Sequence, residues 1–137
     1  MPSAVQKIRG AVRGALLHAS ITALVPATRI IRRPRKALTE FPTITFYDSG
    51  IRPDNSPRIP LMDRNFTIDI WAKTLDEAEV IAALVEARLQ GGSNIIPLAA
   101  PEARVQYFAQ IADIDIAEED GEVVHKTQEY RCLAYAA

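Results

Sequence analysis

Apolar positions near the start of the chain recur at spacings of three and four. Val5, Ile8, Val12, Ala15, Leu16 and Ala19 fall on one stripe, which predicts a helix over residues 3–20. Pro2 suits the first helical position, and Lys7, Arg9 and Arg13 lie off the stripe. Gly10 and Gly14 weaken the helix by about 1 kcal/mol each relative to Ala. Their spacing of four would also let another backbone approach closely. Residues 21–25 add a short turn that Pro26 stops.

The period then changes from about four to two. Residues 29–33 form a short strand candidate ended by Pro34. Residues 43–47 alternate, with Ile44 and Phe46 on one face and Thr45 on the other. Residues 64–73 alternate more clearly. Phe66, Ile68, Ile70 and Ala72 face one way, and Thr67, Asp69 and Trp71 the other. Thr74-Leu75-Asp76-Glu77 is a capping box that opens a helix. Ala78, Ile81, Ala82, Val85 and Leu89 form its buried face, and Gly91-Gly92 supplies its stop. Residues 104–117 read as a long strand with Val105, Tyr107, Ala109 and Ile111 on one face. The apolar side then shifts to Ile114 and Ile116, which predicts a bulge near Ala112. Asp120-Gly121 marks a hairpin turn into a return strand over residues 122–136.

The segments between lack a period. Residues 48–63 contain Gly50, Pro53, Pro57 and Pro60 and read as a long mobile loop, and residues 93–103 read as a second loop. The predicted order is α-β-β-β-α-β-β. Hairpin-linked strands make an α+β fold the economical solution: a mostly antiparallel sheet of four to five strands with two main helices on one face. At 137 residues this is one domain. No apolar run reaches the ~18 residues of a membrane span, and residues 1–10 lack the apolar stretch of a secretory signal. The single cysteine cannot form an internal disulfide.

Charge changes the picture. Residues 1–64 carry eleven Lys/Arg and four Asp/Glu, a net +7; residues 65–137 carry five and thirteen, a net -8. The whole is nearly neutral, which argues against a general nucleic-acid binder. The two halves can instead complement each other, within one subunit or between copies.

Candidate chemistry is sparse. There is no CxxC, HExxH, GxGxxG, GxxxxGK[ST] or GxSxG, so no cofactor, metal site or catalytic group is expected. His18 reads as a cation at a helix C-terminus or a surface residue. His125 and Cys132 point to opposite faces of one strand by odd–even counting, which argues against a catalytic pair; Cys132 reads as a small buried apolar residue. Asp113, Asp115, Glu118, Glu119 and Asp120 form an acidic cluster that reads first as a solvated hairpin tip. Acid–base work or a cation site is its functional alternative. Trp71 lies opposite the apolar face of its strand, so it covers a second layer or sits at a subunit contact. Arg29, Arg32, Arg33, Arg35 and Lys36 put five cations in eight residues. They could meet phosphate, the acidic half of a neighbouring copy, or solvent.

Taken together, "TRI", a proline, "FPTITFYDSG", "NFTIDIWAKTLDEAEVIAALVEARL", a glycine pair and "HKTQEYRCLAY" resemble the tail-completion, or tail-terminator, proteins of long-tailed bacteriophages. The match is most specific from Phe66 to Leu89, where Trp71-Ala72 runs into the capped helix, and again from His125 to Tyr135. The resemblance implies a non-enzymatic virion component that forms a ring, commonly hexameric, on the head-proximal end of the tail tube. Such a ring stops tube polymerisation and offers a joining surface to the head connector, in phages or gene transfer agents. The implied partners are other copies of the chain, the tail tube protein and the head-side connector or stopper. DNA would pass through without sequence-specific binding, and assembly would take place in the host cytoplasm. A head-completion or stopper protein of the same neck, and more distantly a nucleic-acid-binding module using Arg29 to Lys36, are the alternatives.

Overall fold

The computed structural model describes residues 4–32, 40–52, 61–90, 95–100, 104–116 and 123–135. The elements are α1 (Ala4–Leu16), α2 (Ala19–Thr22), β1 (Ile30–Arg32), β2 (Thr43–Arg52), β3 (Leu61–Ala72), α3 (Leu75–Leu89), α4 (Ile95–Ala99), β4 (Val105–Ile116) and β5 (Val124–Tyr135). A 3-10 turn, Ala27–Arg29, leads into β1. The strands form one sheet in the order β1-β2-β3-β5-β4. Only β1 and β2 run parallel; the other three pairs are antiparallel. The fold is α+β, as the pattern predicts, with one parallel pair added.

The core draws on a single face of this sheet. Ile30, Ile44, Phe46, Phe66, Ile68, Ile70, Ala72, Tyr130, Cys132 and Ala134 face the helices and are buried. From the helices come Ile8, Val12, Ala15 and Leu16 of α1, Ile21 of α2, Ile96 of α4, and the five α3 residues of the predicted stripe. A polar contact from β5 seats α3, and a second within β5 holds it in place. The Gln128 side-chain amide donates to the Ala82 carbonyl of α3 (3.1 Å), and the Tyr130 hydroxyl donates to Gln128 Oε1 (2.9 Å). Burial, then the nearby charges of Glu86 and Asp113, push the Tyr130 hydroxyl pKa up. On α1, Arg9 reaches Asp48 of β2.

Several expectations need correction. The first helix does not continue to residue 20. It ends at Leu16, and His18, in extended conformation, accepts from the Ser20 amide as the N-cap of α2. Ala19 is exposed accordingly. His18 is thus a helix-starting cap, not a C-terminal cation.

The long loop over 48–63 is shorter than predicted. The β2–β3 ladder continues through Asp48↔Phe66, Ser49↔Asn65, Gly50↔Arg64 and, past an irregularity, Arg52↔Asp63. Ladder hydrogen bonds are main-chain bonds, so a polar, glycine-bearing stretch can join a sheet without alternation. The loop's centre, residues 53–60, lies outside the described residues, as do Gly91-Gly92 and Asp120-Gly121. The predicted loop over 93–103 contains α4, a five-residue helix that buries Ile96.

Strand β4 has two irregularities, between Val105 and Tyr107 and between Gln110 and Ala112. The second lies where the phase change predicts it. The first moves Phe108 to the core side and Tyr107 to the other, so Val105, Tyr107, Ala109 and Ile111 do not share a face. The capping box is present in its first half, with Thr74 Oγ1 accepting from the Glu77 amide (3.2 Å).

Candidate assembly surface

The predicted site residues that fall among the described residues lie at the two ends and on the second face of the sheet. At the β1 end, Arg29 Nε lies 3.0 Å from Glu40 Oε2, and its Nη1 donates to the Phe41 carbonyl (3.2 Å). Arg32 is exposed at the end of β1. Arg33, Arg35 and Lys36 lie outside the described residues.

At the β4 end, Asp113 and Asp115 pair across to β5, as Asp113↔Gln128 and Asp115↔Lys126. Both carboxylates hold the Lys126 ammonium, at 3.1 and 3.0 Å. Burial alone would lower the Lys126 pKa, but the two carboxylates outweigh it and the net shift is upward. These two aspartates pair with Lys126 and remain open to solvent, their side chains 41% and 65% exposed. Glu118, Glu119 and Asp120 lie outside the described residues.

Trp71 is half-buried on the face away from the core. Its ring stacks on His125 at 3.7 Å between centroids, and its indole N–H donates to Thr45 Oγ1 (3.1 Å). Beneath it lies a network that the sequence reading did not anticipate. His125 Nε2 is 2.7 Å from Asp69 Oδ1, and the Thr127 hydroxyl donates to the same oxygen at 2.7 Å. Thr43, Thr45, Asp69, His125 and Thr127 are all buried. The only hint in the sequence was an aspartate in the middle of an apolar strand. Its partners were invisible until β3 and β5 paired in register, as Asp69↔Thr127 and Trp71↔His125.

An Asp, a His and a hydroxyl in contact invite comparison with a nucleophile relay. A relay needs the carboxylate on one imidazole nitrogen and the nucleophile on the other. Here one nitrogen, Nε2, faces both Asp69 and Thr127 (3.2 Å to the hydroxyl), and the hydroxyl proton is given to the carboxylate. The trio is built to satisfy itself. Cys132 is buried on the opposite face, and burial pushes its thiol up to about 12, so it is no nucleophile at neutral pH. Among the described residues no group of three or more His, Cys, Asp or Glu could hold a metal ion.

A groove of about 510 Å³ lies between α1 and α4, lined by Lys7, Gly10, Gly14, Arg88, Ile95 and Ala99 among others. A Cβ on Gly10 or Gly14 would meet nothing within 4 Å, so this glycine pair mediates no close packing inside the chain.

These features define a class first: a one-sheet α+β module with paired polar networks on its second face and sheet ends of opposite charge. Comparison with known proteins narrows it. The model of the tail completion protein gp17 family matches residues 6–135, and the chain belongs to that family. It is thus a structural tail protein of the bacteriophage kind. Among solved structures, a chain from the virion of a native gene transfer agent particle matches with a TM-score of 0.74 at 13% identity. The match covers 96% of this chain and 97% of that one. At that identity the likeness is one of fold. No curated protein matches the sequence.

Proposed function

We propose that this chain forms a homo-oligomeric, hexameric ring at the head-proximal end of the tail tube, in the neck of the particle. There it stops tube polymerisation and offers a joining surface to the head-side connector, while DNA passes through without sequence-specific contact. The role is non-enzymatic. The observation that carries this reading is the family match across residues 6–135. The Asp69–His125–Thr127 contacts, in which one ring nitrogen faces both partners, are not arranged as a nucleophile relay. The charge division of the chain supports the reading, since a ring joins two different patches on successive copies.

Deletion of the coding sequence in a particle-producing host, followed by electron microscopy, tests the reading. Tails of uncontrolled length are expected. Normal-length tails beside heads that have lost DNA would assign the chain to a stopper instead, and absence of the protein from the necks of intact particles would defeat the reading.

A further inference from the structure

The two ends of the sheet differ in length, charge and residue pattern. One end is β1, three residues long; the other is β4, twelve residues long. Among the described residues no strand pairs with the outer edge of either. An exposed edge is a row of unpaired N–H and C=O groups, a template for another strand.

Register fixes which side chains face which way. In β1, Ile30 and Arg32 align with Ile44 and Phe46 and so share the helix side of the sheet, while Ile31 aligns with Thr45 on the other side. In β4, Asp113 and Asp115 align with Gln128 and Lys126 on the helix side. Ile114 and Ile116 align with Thr127 and His125 on the other side. The cation of one edge and the carboxylates of the other therefore share a face. So do the isoleucines of both edges, and Ile114 and Ile116 are 47% and 40% exposed.

Strand direction agrees as well. β1 and β2 run together, and each later neighbour reverses, through β3 and β5 to β4. β4 thus runs opposite to β1, so a sheet continued from one copy into the next would join them antiparallel, the more stable ladder.

We infer that β4 of one copy adds to β1 of the next, placing Arg32 against Asp113 or Asp115 and Ile31 against Ile114 or Ile116. This deepens the ring reading and rests on it: the contact is heterologous, which a ring requires. Among the described residues the contact spans the three residues of β1, and on β4 it lies beyond the register shift between Gln110 and Ala112. The opposed charges set register and speed encounter more than they add affinity. Lys126 holds both aspartates on the side toward β5, so they are fixed in place before the partner arrives.

Engineered cysteines test the contact, because Cys132 is buried and contributes no background. Arg32→Cys, Asp115→Cys and the double variant are produced in the particle-forming host, and purified particles are treated with a short thiol–thiol cross-linker. In the double variant the monomer band should be lost into a ladder of oligomers. Neither single variant should cross-link to itself, and particles assembled from both singles should yield dimers and nothing longer. Should loss of the Asp115 carboxylate prevent folding, Ile31→Cys with Ile114→Cys samples the same junction from the other face. Self-linking of either single variant would overturn the proposal, as would assembled particles of both double variants that give no ladder. Wild-type particles lacking the protein would instead defeat the ring reading beneath it.

Discussion

Asp48 offers the sharpest test of how the helices are held on the sheet. Its side chain is 2% exposed and faces two guanidinium groups. Arg9 of α1 binds both carboxylate oxygens, at 2.7 and 3.0 Å, and Arg64 of β3 binds Oδ2 at 2.6 Å. Asp48→Asn keeps the shape and removes the charge. The amide can accept from one arginine, but its NH2 turns toward the other, and two cations stay close together uncompensated. Breaking a fully buried pair in this way costs about 3–5 kcal/mol. Both arginine side chains remain about a quarter exposed, so water recovers part of that. The expected loss is about 2–3 kcal/mol at pH 7, or roughly 10 °C in Tm for a domain of this size.

The pH dependence supplies the check. Burial would raise the Asp48 pKa, but its hydrogen bonds to Arg9 and Arg64 and their charges more than reverse this, and the net value lies below the ordinary 3.8. A depressed carboxyl contributes stability that is complete above its ordinary value and disappears as pH falls through the folded one. The gap between wild type and Asp48→Asn, read by urea denaturation, should therefore be full at pH 7 and close as the pH drops below about 4. A gap that is the same at pH 7 and pH 3, or smaller than about 0.5 kcal/mol at pH 7, would refute the reasoning.

Other substitutions and reagents probe the same structure. Gly10→Ala and Gly14→Ala should each raise stability by about 0.5–1 kcal/mol in chemical denaturation, because both glycines are exposed inside α1 and an added methyl meets nothing. Trp71→Phe should keep the stack on His125 and lose the bond to buried Thr45, at about 1 kcal/mol. Trp71→Ala should lose both and cost more, and equal costs would show that the stack contributes nothing. Cys132 should resist a thiol reagent at pH 8 in the native protein and react fully in denaturant; rapid native labelling would contradict its burial and raised pKa.

What the sequence revealed, and what it hid, follows from where the information lies. The N-cap and buried face of α3 are legible because they are local: Thr74 and the stripe of Ala78 to Leu89 stand within sixteen residues. The inward residues of β3 were legible because alternation is unbroken from Phe66 to Ala72. The ends of β2 and β3 were not, because their pairing is made by backbone groups and by Asp48, whose partner Arg9 is thirty-nine residues away. The break after Leu16 was missed because Ala19 kept the period while His18 capped a new turn. The pairing of Asp113 and Asp115 with Lys126 is likewise absent from the sequence pattern: Lys126 reaches them only once β4 and β5 are in register.

The distribution of unsatisfied surface argues for where association energy resides. The second face of the sheet is rich in polar groups, and most of those described are paired, the buried Asn65 Oδ1 being an exception. Asp69, His125 and Thr127 bind one another, Trp71 caps them, and Arg131 holds Asp63 through two hydrogen bonds of 3.1 and 2.8 Å. A partner docking flat on these groups would find few open donors or acceptors. Among the described residues, the exposed large apolar side chains of the sheet are instead concentrated on β4: Tyr107, Ile111, Ile114 and Ile116, with Tyr47 of β2 the other case. Natural edge strands are usually blunted by charge, proline or short length. β4 is long and keeps its only described charges, Asp113 and Asp115, on the helix side, beside the isoleucines rather than among them. Such an edge would be an aggregation hazard on a protein meant to stay alone. In the proposed ring, where copies join in a fixed order, an apolar edge flanked by carboxylates and answered by a short basic strand would limit growth to a single kind of neighbour.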